Sequence, residues 1–413
     1  PVRSDHQIIS SPPFRIRQSN NCSVKVTMRN SLISSILLLS SAVSCINVRS
    51  PYDNIIRRGG EKISVSSLDF DTLRLDARFS SLEGRWHMVD SAIYFVDKYV
   101  VGVSEYDTCG NFVRSHIRQG RGPNEMTASA YSSAFDTETG DCIIQDSNCC
   151  LYRFSRSFEK LSGTDAPWFM SLDSAFTEKD WGILYNNPDP ERPEMYEYNY
   201  VCRRMCAYDG TVVIPVTTEH IRYNGFDGNR AYWRDSYIFI SLTPEDIPGT
   251  RRLFGHYPPV YRRKPMPVFA DYDFFLSDST LTVSFSADPA VYVMDYNGNV
   301  LCSFGVPEKG ISAHYPMTSS FEEYERIYEE SREEYGYYAR LSSFGGYIFR
   351  SSKLDGTDGG WMLQIYDGET YNLIGRVPVN AGFEVIGEYA GKFYAFQSVD
   401  ADAEEFILLK FEI

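Results

Sequence analysis

Residues 91–125, SAIYFVDKYVVGVSEYDTCGNFVRSHIRQGRGPNE, constrain the fold more than any other stretch, because their pattern returns downstream in degraded form. Residues 93–96 form a short apolar run, Asp97 and Lys98 a turn, and residues 99–106 a second run rich in β-branched and aromatic side chains. Residues 107–111 then supply a Gly-containing turn into a third run at 112–117. Short apolar runs broken by Asp, Asn and Gly are strands joined by tight turns, so the unit is an antiparallel meander.

Later copies keep that order. Residues 142–145, a turn at 146–148, residues 149–154 and a return near Phe158 make the second unit. The third pairs 211–217 with 237–242 across a polar insertion at 219–234, and the fourth runs through 281–285, 291–294 and 300–304. Its Asn297-Gly298 step between apolar runs is a strong hairpin signal. Residues 347–349, 361–366 and 371–377 form the fifth unit, and 393–397 with 406–413 the sixth. The opening runs begin at residues 93, 142, 211, 281, 347 and 393. Multi-strand units recurring at about 40 to 50 residues are the signature of propeller blades, the wider intervals holding insertions. The sixth unit shows only two strands, while residues 63–65 and 73–75 alternate as strands do before the first complete unit. The expected fold is therefore all-β: a six-bladed β-propeller of four-stranded antiparallel blades, with N-terminal strands closing the ring and shielding its edges.

An aromatic share of 15% favours β structure and argues against disorder. The formal charge of −15 excludes a nucleic-acid backbone as the expected partner, since that interaction needs clustered Lys and Arg; an anionic membrane surface is disfavoured for the same reason. A monomer is expected.

The first Met is Met28, followed by Arg29, an apolar Leu/Ile/Ser-rich run at 31–43, and Ala42-Val43-Ser44-Cys45. A positive lead, a short apolar run and small residues have the form of a secretory signal, and the run is too short for a membrane span. The Ala-Val-Ser-Cys step resembles a bacterial lipobox, which makes Cys45 the expected site of lipidation and first residue of the mature chain. Several acyl chains on one residue anchor firmly. Residues 1–44 are thus expected to be an upstream extension plus signal, 45–60 a lipid-anchored tether, and 61–413 the propeller. Five Lys/Arg and one Asp precede Cys45, so the mature charge moves from −15 to −19. No acidic run follows Cys45, and the expected address is the cell envelope, facing the periplasm.

Gly120-Arg121-Gly122-Pro123-Asn124-Glu125 follows an outer strand whose turn reads Asp-x-x-Gly. This resembles the G-x-G-P-G-E signature of six-bladed β-propeller lipoproteins of Bacteroidetes, similar in shape to TolB-like and NHL-repeat propellers. Asn124 stands where the second Gly is usual, and Asn tolerates positive φ better than other side chains do. The resemblance implies a fold and an envelope location, and little chemistry.

Two segments do not read as blades. Residues 161–205, with Trp168, Trp181, Tyr196, Tyr198 and Tyr200, read as a long loop over one face. Residues 319–338 read as a helix, with Phe321, Tyr324, Tyr328 and Tyr335 at helical steps and Ser320 with Glu323 as a capping box. That helix is expected over a seam between blades.

No catalytic constellation is visible. Beyond Cys45 the cysteines are at 109, 142, 149, 150, 202, 206 and 302, an odd number without zinc-finger spacing, and they read as buried thiols. His87, His116, His220, His256 and His314 stand apart in sequence. There is no H-E-x-x-H, G-x-S-x-G or phosphate-loop pattern. The Gly120 loop lacks a following helix, so it reads as a crossover and not a phosphate cradle, although Arg118 and Arg121 lie beside it. Asp90, Asp146, Asn148 and Asp288 read as turn residues; a calcium-dependent, lactonase-like hydrolase would instead gather them around a metal at the axis. The favoured reading is a non-enzymatic binding or scaffold propeller without cofactor, gripping a protein, peptide or glycan through face loops. Trp168, Trp181, Tyr198, Tyr223, Trp233 and Tyr324, on the insertions 161–205, 219–234 and 319–338, are the candidate ligand-binding side chains, because such rings offer large contact area with a polar tip. At least two of these insertions are expected on one face, bordering the channel mouth.

Overall fold

A computed structural model describes residues 50–413 other than 54, 78, 164–177, 200, 201, 203 and 244–251. Cys45 and Trp168 lie outside the described residues. The rest folds as a six-bladed β-propeller. Blade 1 comprises Gly84–Val89, Ala92–Asp97, Gly102–Asp107 and Phe112–His116, and blade 2 Ala130–Phe135, Cys142–Asp146, Leu151–Phe154 and Lys160–Gly163. Blade 3 contains Glu197–Tyr198, Cys206–Tyr208, Thr211–Thr217, Tyr237–Leu242 and Arg252–His256. Blade 4 contains Tyr272–Leu276, Thr280–Phe285, Val291–Asp295 and Val300–Phe304. Tyr337–Phe344, Tyr347–Lys353, Trp361–Asp367 and Leu373–Val379 form blade 5, and Glu384–Tyr389, Lys392–Asp400 and Glu405–Phe411 belong to blade 6. The first strands of successive blades touch one another around a complete ring, from blade 1 through blade 6 and back to blade 1.

Closure comes from the N-terminal segment. Asp71–Asp76 pairs antiparallel with Glu405–Phe411 as the outermost strand of blade 6. The preceding strands act differently from expectation: Glu61–Val65 adds in parallel to blade 5 and Ile56–Arg57 in parallel to blade 4. Residues 50–60 are consequently no free tether. Tyr52 is buried, its hydroxyl donates to the His256 carbonyl, and its ring meets Tyr292 edge-on at 5.0 Å. The segment laces three consecutive blades at the rim.

The apolar runs that mark the repeat in the sequence are the second strand of each blade. Cys142–Asp146 is buried throughout and Thr211–Thr217 at all but its ends, because a neighbouring blade covers each face. The innermost strand precedes each run, and in blade 1 it carries Arg85 and His87. Turns of one type recur: Asp107 accepts from the amides of Cys109 and Asn111 (2.8 and 2.9 Å), and Asp295 does the same with Asn297 and Asn299 (2.8 and 2.9 Å). Gly110 and Gly298 take positive φ in these turns, which explains the Asp-x-x-Gly pattern.

At 120–125 the two glycines leave room for the Glu125 side chain, whose carboxylate accepts from the Gly122 amide at 2.6 Å. A phosphate-cradling amide is therefore already taken. Asn124 does not sit at positive φ; its side-chain oxygen instead accepts from the Lys160 amide of blade 2 at 3.0 Å. Cys149 also departs from expectation, lying in the turn before Leu151–Phe154 with φ of 61° and not on the strand. The described cysteines other than exposed Cys109 and half-buried Cys206 are buried, and none is in a disulfide.

Candidate functional site at the propeller axis

Four helices punctuate the described chain: α1 (Glu178–Asn186), α2 (Arg230–Asp235), α3 (Pro259–Arg263) and α4 (Phe321–Glu334). In α4 the Ser320 hydroxyl accepts from the Glu323 amide at 3.2 Å, and the Glu323 carboxylate answers Ser319. Arg332 fastens the helix to blade 4 by pairing with Asp271 at 2.9 Å while lying over the Tyr337 ring at 3.5 Å. Lys353 closes the C-terminal end, donating to the Glu333 carbonyl at 2.7 Å. The helix thus packs over the seam between blades 4 and 5.

The three insertions meet. His220 contacts the Tyr185 carbonyl at 3.0 Å and Arg222 donates to the Asn186 carbonyl at 2.9 Å, joining residues 219–234 to α1. Phe226 packs against Phe321 and Tyr324 with centroids 5.0 and 4.8 Å apart, joining the same insertion to α4. Tyr328 of α4 then lines a cavity of about 550 Å³ that opens onto the axis.

The candidate rings fare unevenly. Trp181 is 46% exposed on α1. Tyr198, Tyr223 and Trp233 are buried, which corrects the expectation that they present contact surface. Trp233 stacks on Tyr261 at 5.4 Å and meets Tyr257 at 4.8 Å, and Tyr223 leans on Tyr232 at 5.7 Å. Tyr198 packs edge-on against Tyr131 at 5.3 Å. Large rings of this kind stabilise by leaving water, and an insertion that must fold onto the blades uses its own aromatics to do so. Tyr324 is half-buried, held between Phe226 and Tyr328.

What the sequence did not single out is the axis itself. Two cavities, the one just described and another of about 300 Å³, share Arg85, Trp86, Ser133 and Glu384 as common walls, so these residues form the constriction between them. Arg85 and His87 lie two apart on the innermost strand of blade 1 and share a face toward blade 2, where the His87 Nε2 meets the Ser133 hydroxyl at 2.8 Å. Trp86 turns the other way, onto Phe406 of blade 6 at 4.9 Å.

Blade 3 contributes through a break in its innermost strand. Glu197–Tyr198 and Cys206–Tyr208 both pair with Thr211–Thr217, and the chain between them carries Arg204 inward. Arg204 donates to Asp273 of blade 4 at 2.9 Å and to the Leu341 carbonyl of blade 5 at 2.6 Å, and stands 3.7 Å from Glu384 of blade 6. Arg340 of blade 5 approaches Glu384 at 3.6 Å. Arg85 makes no hydrogen bond or ion pair among the described residues.

The electrostatics follow from that set. Burial acts to raise the Glu384 carboxyl, but the guanidiniums of Arg340, Arg204 and Arg85 outweigh it and hold the group well below the usual carboxylate range. Burial, then Arg85 and Arg204, push His87 down to about 3, so it is neutral and hydrogen-bonding. Burial, then the like charges of Arg340 and Arg204, lower Arg85 below the ordinary arginine value. At the blade 3 break, burial and the neighbouring Glu219 raise Glu197 to about 7.

A calcium centre would need convergent oxygen ligands. Asp146 and Asp288 instead cap turns, accepting from Cys150 and Ala290 amides, and Asp90 pairs with Arg156. Among the described residues no group of three or more His, Cys, Asp or Glu side chains is placed to hold a metal ion. At the constriction the Glu384 carboxylate is already faced by the guanidiniums of Arg340, Arg204 and Arg85, which compete with a cation for it.

The sequence matches no known protein family and no curated protein. Solved structures match by shape. A member of the duf4221 family from Bacteroides vulgatus superposes with a TM-score of 0.61 at 11% identity, covering 84% of this chain and 98% of its own. A protein of Bacteroides fragilis inferred to be exported gives a TM-score of 0.47 at 12% identity, covering 86% of this chain and 98% of its own. At these identities the likeness is one of fold.

Proposed function

We propose that this chain is a non-enzymatic binding propeller of the cell envelope, anchored through a lipidated Cys45 and facing the periplasm. It takes its ligand at the end of the channel framed by the three insertions. The observation that carries this reading is their convergence: α1 of the first insertion, residues 219–234 and residues 319–338 touch in series, and Tyr328 stands over a cavity that reaches Arg85 and Arg340. Ligand sites are concave, of about 300 to 1,000 Å³, apolar in their walls with a few placed polar groups, and both chambers fall in or near that range. Trp181 extends the contact surface outward on α1. The ligand classes this supports are a peptide, a protein segment or a glycan. Among the described residues no helix is long and apolar enough to cross a membrane.

The test is to screen the immobilised chain against soluble peptides and oligosaccharides and to compare the hits with Tyr328→Ala. Binding that weakens at least tenfold, with the ligand recovered intact, supports the reading. Turnover of the ligand, or binding indifferent to Tyr328, sinks it. In the same cells Cys45→Ser should move the chain from the membrane to the soluble fraction.

A further inference from the structure

We propose that the axial constriction binds the oxyanion head of a small organic ligand, a carboxylate or a phosphate, between Arg85 and Arg340. The proposal rests on the binding reading above and adds the chemistry of what the channel takes.

The charges around the constriction do not balance. Three guanidiniums, of Arg85, Arg204 and Arg340, face two carboxylates, of Asp273 and Glu384. Asp273 is committed, one oxygen accepting from both Arg204 (2.9 Å) and the Leu341 amide (2.8 Å). Glu384 stands 3.7 Å from Arg204 and 3.6 Å from Arg340, beyond direct hydrogen-bond length, so neither pairing is tight. The charged groups at the rims have partners of their own: Lys98 pairs with Glu83, and Asp136 accepts from the amides of Glu138, Thr139, Asp209 and Gly210. Both Asp136 oxygens are spent on those amides, so Arg85 is the charged group at the constriction left without a hydrogen-bond or ion-pair partner among the described residues.

Leaving a cation so placed opposes folding, and burial with like-charge repulsion already weakens the hold of Arg85 on its proton. An anion arriving there relieves both. Guanidinium forks match the two oxygens of a carboxylate or phosphate and bind them more strongly than neutral donors do. The larger chamber provides the approach, and the rings of Tyr131, Tyr328 and Phe396 in its walls suit the uncharged body of the ligand.

Calorimetric titration of the full chain with acetate and, separately, inorganic phosphate at low chloride tests this, and the preferred probe identifies the head group. Saturable binding that Arg85→Gln and Arg340→Gln each weaken at least tenfold, while Arg114→Gln, an exposed arginine on the outer strand of blade 1 paired with Glu105, leaves it unchanged, supports the site. Arg85→Gln should also raise the melting temperature of the unliganded chain, because a neutral side chain removes the repulsion; an arginine kept for structure alone would lower it. No saturable binding of either probe, or binding unaffected by both arginine substitutions, overturns the proposal. A chain that binds oxyanions but turns its ligand over fails the non-enzymatic reading alone. One that binds an intact ligand indifferent to Arg85 fails this inference alone.

Discussion

The innermost and second strands of each blade have the same extended backbone and lie hydrogen-bonded side by side, yet they are built from different residues. In blade 3 the second strand, Thr211–Thr217, is buried except at its ends, whereas the innermost is short, interrupted and carries Glu197 beside the loop that presents Arg204. In blade 1 the second strand reads Ala-Ile-Tyr-Phe-Val-Asp and the innermost Gly-Arg-Trp-His-Met-Val. A second strand is covered on both faces by neighbouring blades, so nearly every position must be apolar or internally bonded. An innermost strand has one edge on the channel, where water or a ligand can satisfy polar groups. Charge on a second strand is accommodated only when internally bonded, as Arg350 and Lys353 of blade 5 are to backbone carbonyls, whereas an innermost strand can carry a charged group without a protein partner, as blade 1 does at Arg85.

The most severe way to challenge this picture is to remove the rim. Deleting residues 50–76 takes away the outer strands of blades 4, 5 and 6 together and should leave an aggregating chain without a cooperative melt. A soluble truncation that unfolds cooperatively would show that closure does not depend on these strands. Next comes a core position in the third strand of blade 3. Phe239 is fully buried, with Phe274 4.8 Å and Tyr272 5.2 Å away, so Phe239→Ala should cost about 3 to 5 kcal/mol in denaturant unfolding.

Innermost positions should respond the other way or barely at all. Glu197 has a folded-state value raised to about 7, so the folded chain binds a proton that the unfolded chain has already released. The resulting penalty is absent below the unfolded carboxyl value, grows as pH rises between the two, and is complete above about 7. Glu197→Gln should then stabilise by about 3 kcal/mol at pH 8 and by nothing measurable at pH 4. Equal effects at both pH values would place the cause in packing. The smallest change is expected at Ser133, whose hydroxyl meets neutral His87: Ser133→Ala should shift stability by about 1 kcal/mol or less. If it cost as much as Phe239→Ala, the division between strands would be broken.

What could be read from the chain follows the same division. The repeat, the six blades and the α4 helix with its Ser320 cap were legible, because continuous burial and turn chemistry leave periodic marks: apolar runs every blade, Asp-x-x-Gly at the turns, aromatic residues at helical steps. The runs mark second strands, however, and the strands lining the axis carry no comparable pattern. Arg85, Arg340, Asp273 and Glu384 are single charged residues in otherwise ordinary segments, and His87 stands alone in sequence. The nearest available signal was the two-residue spacing of Arg85 and His87 within a strand-like stretch.

Local sequence thus determined which segments form strands and turns, since those depend on neighbours a few residues away. It could not determine which aromatic rings face water: Trp181 and Trp233 look alike as residues on insertions, but one lies on an exposed helix face and the other under a lid of tyrosines. Nor could it place Ile56–Arg57 and Glu61–Val65 on separate blades, because parallel pairing with residues about 250 and 310 positions away leaves no local trace. Closure of the ring decided the rest. It brings residues from blades 1, 3, 4, 5 and 6 to one axis, and only there do three guanidiniums meet two carboxylates.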